Sequence, residues 1–339
     1  MSGSTILPLN LPTLRRHRLP EREHDTKAIA LFWRDFHFVP AAVVSFNAIS
    51  RLWTLPNIPR RMVTIMRTVH IYEKGILAGN EAEIVREFPL VLQVNGRELA
   101  TLIASPHDLR YLVAGFLRLQ GFVTSLGDFH ILSVCEDYGI ASVRIKGELP
   151  ERLRPVLTSG CGTGITFTLD EDMKDVRQVG TIAPVDPVAV FRLMEGLARQ
   201  AEGYRRHGGM HSAAVGTCDG CLLLSAEDIG RHNTLDRIAG EALLKEIDLA
   251  GKLLVTSGRV SAELAAKAVR LGIPVIASRT APTDMAITIC LKAGITLIGY
   301  VRGSRFTVYT HPERLAVALT TEVGGISSAE GRKGREAPS

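Results

Sequence analysis

The spacing of apolar positions along this chain changes near its middle, from a pattern typical of strands to one of alternating strands and helices. Between Val69 and about Thr168 the pattern is mostly that of strands. Residues 90–94 and 98–102 flank the dipeptide Asn95-Gly96, which supplies the positive φ angles that a type I′ turn requires. These residues therefore predict a β-hairpin.

A helix is predicted directly after this hairpin. Ser105 is expected as its N-cap, with Pro106 at the first helical position and Asp108 at the third. Gly121 is expected to end the helix. Its buried face is predicted from the helical spacing of apolar side chains, namely Leu109, Leu112, Val113 and Phe116.

From Asp186 onward, predicted helices and strands alternate. Asp186-Pro187 is expected to cap a helix that buries Val190, Leu193, Met194 and Leu197. Further on, Gly272 and Gly294 are expected to end two helices. The predicted order is strand 252–256, helix 261–271, strand 273–277, helix 282–293 and strand 295–300. Because the links are short, we expect parallel strands joined by right-handed crossovers, hence an α/β architecture.

Each of these three strands is followed by arginine together with hydroxyl or glycine residues. The segments are residues 256–259, 278–280 and 300–305. Ligands of open α/β sheets bind beyond the carboxyl ends of the strands, and arginine suits phosphate groups. Arginines that follow strands are also common as solvated loop residues. Three such ends together nevertheless favour a site for a ligand with several phosphates.

Four regions are expected along the chain. Residues 1–65 mix proline, arginine and aromatic residues without periodicity. They are interpreted as a flexible extension, or as upstream sequence if the natural product starts at Met62 or Met66. Residues 66–170 are expected to form a smaller, strand-rich domain, and residues 171–320 an α/β domain. Residues 321–339, rich in glycine, serine and charged residues, are expected to be disordered.

Composition and charge exclude several classes of protein. The hydrophobic fraction of 46% is that of a globular protein, and the sequence has no apolar run long enough to span a membrane. Residues 1–61 hold nine basic and four acidic residues, so they account for the whole net charge of +5. The remainder is neutral, which disfavours nucleic acid as a partner. Five cysteines are too few for a disulfide scaffold, and we expect a reduced, cytoplasmic protein without a membrane segment.

Two cysteine motifs are candidates for chemistry. Cys161 lies among small residues and three glycines, where a thiol can be exposed and reactive or can simply fill a tight turn. Cys218 and Cys221 form a Cys-x-x-Cys pair around Asp219-Gly220, which predicts a hairpin tip. The pair could be half of a zinc site or a redox pair. Because no second such pair exists, a structural role is preferred and no metal site is predicted.

Two polar segments have the character of ligand-binding loops. Residues 207–211 place two glycines between histidines, and glycines permit close approach of the backbone to a ligand. Residues 227–233 bring five polar or ionisable groups together before a helix that is expected to begin at Asn233. That helix is expected to bury Leu235, Ile238, Ala239 and Ala242.

Taken together, these motifs resemble the formate dehydrogenase accessory sulfurtransferase (FdhD/NarQ) family. The resemblance runs from about Val69 to Thr310, and the string at residues 227–233 is its most specific part. The other motifs that carry it are residues 89–90, 94–96, 105–106, 115–117, 159–162, 208–211, 256–259, 278, 281–283 and 308–310.

The resemblance implies a sulfur carrier. A cysteine desulfurase loads a persulfide onto such a protein, which passes the sulfur to the bis(molybdopterin guanine dinucleotide) form of the molybdenum cofactor before the cofactor enters formate dehydrogenase. The cofactor is a transient ligand, and none is expected to be permanently bound. A cytidine-deaminase-like, three-layer α/β fold of the C-terminal domain and a homodimer are also implied.

The site residues follow from this resemblance and from the loops above. The persulfide cysteine of the family maps onto Cys161. The expected cofactor-binding residues are Tyr300, Val301, Arg302, Gly303, Ser304, Arg305, Arg259, Ser257, Arg279, His211, Asp228, Arg231 and His232.

One departure from the family pattern leaves alternatives open. Members of the family commonly carry Cys-x-x-Cys in the cysteine loop, whereas Gly164 takes the second position here. Cys161 cannot then form an internal disulfide to discharge sulfur, and Cys218 or Cys221 would substitute only if their hairpin reached the loop. A carrier that merely shelters the cofactor is the alternative. A zinc-dependent deaminase is disfavoured, because His211 is not followed by the required glutamate.

Overall fold

The structure, a computed structural model, describes residues 64–150 and 176–318 together with the backbone of residues 156–157 and 165–166. Two larger sheets organise these residues. The first has four strands, and the second has six. A long hairpin, β1 (Thr64–Glu73) with β2 (Ile76–Val85), precedes them, and β7 (Val156–Leu157) pairs with β8 (Ile165–Thr166).

The four-stranded sheet contains the predicted hairpin. Its strands are β3 (Phe88–Val94), β4 (Arg97–Ala104), β5 (Phe129–Cys135) and β6 (Ile140–Ile145). They lie in the order β4-β3-β6-β5. Asn95 and Gly96 have φ angles of 49° and 80°, as the type I′ turn requires. The predicted hairpin is therefore confirmed.

Helix α1 (Leu109–Leu119) packs on this sheet with the face that its sequence predicts. Leu109, Leu112, Val113 and Phe116 are buried, and Gly121 follows the helix with a φ of 78°. Its predicted start is wrong. The residue before the first helical turn is Asp108, in the left-handed conformation, and Ser105 lies outside the helix. The reason is a long-range contact of Ser105, described below.

The six-stranded sheet carries helices on both faces. The strands are β9 (His211–Gly216), β10 (Leu222–Asp228), β11 (Leu253–Thr256), β12 (Val275–Ser278), β13 (Thr296–Arg302) and β14 (Arg305–Thr310). They lie in the order β10-β9-β11-β12-β13-β14. The helices are α2 (Pro187–Gln200), α3 (Glu202–His207), α4 (Arg231–Leu244), α5 (Ala262–Arg270) and α6 (Asp284–Ala293).

The strand directions follow the sequence prediction. Strands β11, β12 and β13 are parallel neighbours, and α5 and α6 are their crossovers. Ser261 and Thr283 cap these two helices at their N-termini, and Gly272 and Gly294 follow their C-termini with φ angles of 66° and 71°. Asp186 caps α2 as predicted, since its carboxylate accepts the amide hydrogen of Val188.

Alternate side chains of the strands face two different helix layers. Leu253 and Val255 pack with α2, whereas Leu254 packs with α4, α5 and α6. The expected three-layer arrangement of the C-terminal half is thus observed, and the chain is a mixed α/β protein. Its likeness to cytidine deaminases stays an expectation.

The two sheets are joined where α1 crosses α4. A Cβ atom on Gly115 would lie 1.6 Å from the carbonyl oxygen of Asp236, and one on Gly240 would lie 1.8 Å from that of Tyr111. Only glycine permits this approach of two helix backbones. The contact therefore fixes how the four-stranded sheet sits against the C-terminal half.

Several expectations concern residues outside this description. Most of the N-terminal extension, the expected domain boundary near residue 170, Cys161 and the C-terminal tail lie outside the described residues. Within the described part of the chain, no helix combines the length and the apolar character needed to cross a membrane.

Candidate functional site

Hydrogen bonds connect the segments at the carboxyl ends of the parallel strands β11, β12 and β13. The amide of Arg279 donates to the carbonyl oxygen of Thr256 at 3.1 Å, and the amide of Tyr300 donates to that of Thr280 at 3.1 Å. The hydroxyl of Ser278 donates to the carbonyl oxygen of Gly258 at 2.8 Å. The three segments that the sequence singled out therefore meet at one edge of the sheet.

Four arginines of these segments have exposed side chains: Arg259, Arg279, Arg302 and Arg305. The third segment differs from its expected form of a loop after a strand. Strand β13 continues to Arg302, and Gly303 and Ser304 turn the chain into the antiparallel strand β14. The side chain of Val301 is buried in the core, so its expected contact with a ligand is corrected to a packing role.

A close-packed group of side chains lies beside this edge. A Cβ atom on Gly258 would lie 2.9 Å from the Cβ atom of Arg231 and 3.4 Å from Nδ1 of His211. The hydroxyl oxygen of Ser257 accepts the amide hydrogen of Ser212 at 2.9 Å and lies 3.5 Å from Nδ1 of His211. The structure thus brings together His211, Arg231 and Ser257, three of the expected cofactor-binding residues, and their contact with a cofactor stays a prediction.

Electrostatics favour a neutral imidazole at His211. Partial burial lowers the pKa of His211 first, and the positive charge of Arg231 lowers it further, against an opposing effect of Asp228. A neutral imidazole can accept or donate a hydrogen bond without adding charge. The positive charge of this group is therefore carried by arginine.

The carboxylate of Asp228 contacts protein groups and not, as expected, a ligand. Its side chain is fully buried, and its oxygens accept hydrogen bonds from Nε and Nη2 of Arg237 at 2.9 and 2.6 Å. They also accept from the amides of Ser105 at 3.2 Å and Gly230 at 2.8 Å, and from the side chain of Asn233 at 2.8 Å. The expected ligand contact of Asp228 is corrected to an internal one, because both oxygens are engaged by protein groups.

Arg237 completes the link between the two halves of the chain. Its guanidinium, 2% exposed, donates to the carbonyl oxygens of Ser105 and His107 at the start of α1. Ser105 is therefore held by Arg237 and Asp228 instead of capping the helix. Neither Arg237 nor this use of Ser105 was predicted from the sequence, because the partners lie more than a hundred residues apart.

Other members of the segment 227–233 also hold loops in place. Both carboxylate oxygens of Glu227 accept backbone amides at the start of α3, from Gly203 and Tyr204 at 2.9 Å each. Helix α4 begins at Arg231 with Gly230 as its N-cap, so the predicted start at Asn233 is wrong by one half-turn. Asn233 instead donates to the carbonyl oxygen of Ile103 at 2.9 Å.

His232 belongs to a buried chain of polar groups beneath the strand ends. Its Nε2 lies 2.9 Å from the hydroxyl of Ser261, and its Nδ1 lies 3.1 Å from Oε2 of Glu263. Lys267 in turn contacts Glu263 and Asp236, each at 2.9 Å. The i,i+4 spacing of Glu263 and Lys267 in an alanine-rich helix is the signal by which the sequence could have indicated this chain.

This arrangement has the order of a hydroxyl–histidine–carboxylate triad, but its electrostatics do not suit a base. Burial lowers the pKa of His232 to about 3, despite the opposing charge of Glu263. Because Glu263 can only accept, Nδ1 carries the hydrogen and Nε2 accepts from Ser261. A general base needs a pKa near the working pH. His232 is therefore suited to hold the loop before α5 and not to remove protons.

The pKa values of two further groups in this buried network, Asp236 and Lys267, are also shifted. Burial raises the pKa of Asp236 to about 6, although Lys267 opposes that shift. The pKa of Lys267 lies above its ordinary value: burial alone would lower it, but Asp236 and Glu263 outweigh that effect. The ammonium of Lys267 stays charged and compensates the two carboxylates.

Two of the four described cysteines, Cys218 and Cys221, lie away from the strand ends. Cys218 and Cys221 occupy the turn after Gly216, which pairs with Leu253 at the opposite end of β11 from Thr256. Leu253, the partner of Gly216, lies about 10 Å along β11 from Thr256 at the strand end. Burial raises the pKa of Cys218, and it raises that of Cys290 to about 12, so both thiols are held protonated.

The predicted hairpin tip at Asp219-Gly220 is confirmed, with Gly220 at a φ of 86°. No disulfide and no metal-binding cluster of histidine, cysteine and carboxylate side chains occurs within the described part of the chain.

Comparisons with known proteins match the chain over most of its length. The FdhD/NarQ family profile matches residues 85–316. Proteins called "Sulfur carrier protein FdhD" from Bacillus pumilus and Bacillus subtilis are each 36% identical to this chain. The matches span 74% and 75% of this chain and 96% and 98% of those relatives. One from Staphylococcus aureus is 33% identical over 258 residues, 75% of this chain and 97% of its own length.

A solved structure has the same fold. The crystal structure of a protein from Desulfotalea psychrophila, described as a formate dehydrogenase accessory protein, superposes with a TM-score of 0.63. It is 23% identical and covers 75% of this chain and 99% of its own. At this identity the likeness establishes the fold.

Proposed function

The chain belongs to the FdhD/NarQ family, and from that membership we propose that it is a sulfur carrier that serves a formate dehydrogenase. The observation that carries the proposal is the match to relatives called sulfur carrier proteins, which extends over nearly their whole length. The resemblance of the individual motifs and the agreement of the fold support it.

The proposed chemistry is the transfer of a sulfane sulfur through Cys161. The thiolate of Cys161 attacks the terminal sulfur of a persulfide on a cysteine desulfurase. A new S–S bond forms at Cys161, the S–S bond of the donor breaks, and the donor leaves as a thiolate. No oxidant is required, because one persulfide is exchanged for another.

Release of the sulfur, unlike its uptake, requires a reductant. Passing it on as sulfide to the molybdenum cofactor regenerates the Cys161 thiol and consumes two electrons. A neighbouring cysteine of the loop would supply them by forming a disulfide, but Gly164 stands there. We therefore assign the electrons to two thiol groups from outside the cysteine loop, which are oxidised to one disulfide while Cys161 returns to the thiol. Cys218 and Cys221 would supply them only if their hairpin reached the cysteine loop, and residues 158–164 of that loop lie outside the described residues.

The strand ends are the proposed binding place for the bis(molybdopterin guanine dinucleotide) substrate. Arg259, Arg279, Arg302 and Arg305 expose guanidinium groups at one edge, and these groups pair well with phosphates. Gly258 lies where a side chain would collide with Arg231. The absence of that side chain lets Arg231 and His211 pack against the backbone of the first strand end.

A test in cells separates the carrier from the alternative role. A strain that lacks its own accessory protein is supplied with this chain or with Cys161→Ala, and formate dehydrogenase activity is assayed. We expect Cys161→Ala to abolish activity while the purified variant still binds guanosine diphosphate. Cys135→Ala, which removes an exposed cysteine elsewhere, is the matched control.

The alternative is a protein that shelters the cofactor without carrying sulfur, and Gly164 is the observation that favours it. Full formate dehydrogenase activity with Cys161→Ala would establish that role and overturn the sulfur-carrier proposal.

A further inference from the structure

The hairpin of β1 and β2 has one face that is mostly apolar. Residues that pair directly in an antiparallel ribbon point their side chains to the same face, and the two faces alternate along each strand. We call one of them the isoleucine face. Its residues are Ile65, Arg67, Val69, Ile71 and Glu73 of β1 and Ile76, Ala78, Asn80, Ala82 and Ile84 of β2.

The opposite face of the hairpin is the one that contacts the rest of the protein. Nη2 of Arg206 lies 2.6 Å from a carboxylate oxygen of Glu83. A Cβ atom on Gly209 would lie 2.8 Å from Cγ2 of Val85. Glu83 and Val85 both belong to the opposite face, so the isoleucine face points away from these contacts.

Large side chains of the isoleucine face are exposed. Ile71, Ile76 and Ile84 are 49%, 70% and 40% exposed. A two-stranded hairpin is only marginally stable in water by itself, and exposed apolar patches mark interaction surfaces. A ribbon with ten residues in each strand therefore gains stability when this face is covered.

The two charges of the isoleucine face indicate which partner fits it. Arg67 and Glu73 lie about 20 Å apart along β1, so they cannot pair within one hairpin. They lie symmetrically on either side of Val69 and Ile71. A two-fold axis that crosses β1 midway between these two apolar residues lays a second hairpin antiparallel on the first. Arg67 of each copy is then opposite Glu73 of the other.

The same symmetry brings apolar side chains together. Val69 of one copy faces Ile71 of the other, and Ile76 faces Ala82 on the neighbouring strands. Sheets that pack face to face lie about 10 Å apart, a distance that arginine and glutamate side chains can bridge together. A contact of this kind uses the same surface on both copies and closes as a dimer.

We propose that the isoleucine face is an interface between two copies of this chain, in which the hairpins pack antiparallel with two reciprocal Arg67–Glu73 ion pairs. The family resemblance implies a homodimer but assigns no surface to it. Strand β1 lies before residues 85–316, which the family profile matches. The inference uses no residue of the proposed sulfur-transfer site and does not depend on that proposal.

The first test is sedimentation velocity of the full chain over a range of concentrations, in which we expect a monomer–dimer equilibrium. Ile71→Lys buries a charge in the interface and should weaken association about a hundredfold or more. Tyr72→Lys is the matched control, because it alters the next side chain, 71% exposed, on the opposite face. It should leave association unchanged, and circular dichroism can confirm that both variants fold.

Charge reversal tests the antiparallel geometry. Arg67→Glu and Glu73→Arg each place like charges opposite one another, so each variant should associate with itself about tenfold more weakly than the unaltered chain. An equimolar mixture of the two variants should regain the original affinity, because every facing pair is then of opposite sign.

Several results would overturn the proposal. A full chain that is monomeric at about 100 μM would exclude a second copy as the partner. A dimer that Ile71→Lys leaves intact, or that Tyr72→Lys weakens equally, would place the contact elsewhere. A mixture that associates no better than the single charge variants would contradict the reciprocal ion pairs.

Discussion

Replacing Asp228 by alanine should remove a large part of the stability of this protein. The carboxylate is fully buried, and it accepts hydrogen bonds from Arg237, Ser105, Gly230 and Asn233. Without it, the guanidinium of Arg237 remains in the interior as an uncompensated charge. Breaking a buried ion pair in this way costs about 3–5 kcal/mol.

The neutral donors add to this cost, although not by simple summation. Each buried amide left without an acceptor costs about 1–3 kcal/mol, but relaxation and water entry recover part of it. We therefore expect a loss of about 4–6 kcal/mol for Asp228→Ala. Domains of this kind are stable by only about 5–15 kcal/mol, so the variant should be close to unfolding.

Urea unfolding followed by circular dichroism measures this loss. Arg237→Gln in combination with Asp228→Asn removes both charges, so the double variant should cost less than the sum of the two single ones by about 1–3 kcal/mol. Glu195→Gln, in an exposed ion pair with Arg199, is the control and should change little. A loss below about 1 kcal/mol for Asp228→Ala, or strict additivity of the pair, would refute the reasoning.

Three further predictions concern other parts of the structure. Gly115→Ala should destabilise the protein by about 3 kcal/mol or more in urea unfolding, because its Cβ would collide with a carbonyl oxygen of α4. Gly196→Ala, a helix glycine with ordinary space around it, should be neutral or stabilising, and equal losses would contradict the account. Asp236, whose pKa is raised to about 6, should stabilise the fold as the pH falls. His232 has the opposite effect: its pKa is about 3 when folded against an ordinary 6.5, so its contribution to stability should be lost as the pH drops below about 6.5. His232→Gln should lower this dependence in urea unfolding at pH 7 and pH 5, and an unchanged dependence would argue against a neutral buried imidazole. Finally, Arg305→Gln should weaken guanosine diphosphate binding about tenfold in calorimetry, whereas unaltered affinity would exclude Arg305 from the site.

The elements that the sequence predicted well are those whose signals are local. The Asn95-Gly96 turn, the Asp186 cap and the glycines after α5 and α6 each depend on a few neighbouring residues. The convergence of the strand ends was also predictable, because short links between alternating strands and helices permit essentially one handedness.

The errors arose where distant residues outweighed a local preference. Ser105 followed by Pro106 has the form of a helix start, but Asp228 and Arg237 engage Ser105 across more than a hundred residues. Asn233 has the form of an N-cap, but its side chain is used by Asp228 and by Ile103. In both places a buried polar contact replaces a capping bond.

The candidate site shows the same division. The exposure of its arginines could be predicted, because they follow strands in the sequence. The burial of Asp228 and the pairing of His232 with Glu263 could not, because both depend on how helix α4 packs against its neighbours. The most specific string of the sequence, residues 227–233, thus serves largely to assemble the loops around the strand ends. Side chains of this kind are easily taken for ligand contacts, since both roles require polar groups at fixed positions.

The most direct test of the central proposal is to locate the sulfur. The protein is incubated with a cysteine desulfurase and cysteine, its intact mass is measured, and any added sulfur is mapped to a peptide. One extra sulfur atom on the peptide that contains Cys161, absent from Cys161→Ala, is the predicted result. Sulfur on Cys218 or Cys221, or no added sulfur when the desulfurase is active on a known acceptor, would contradict it.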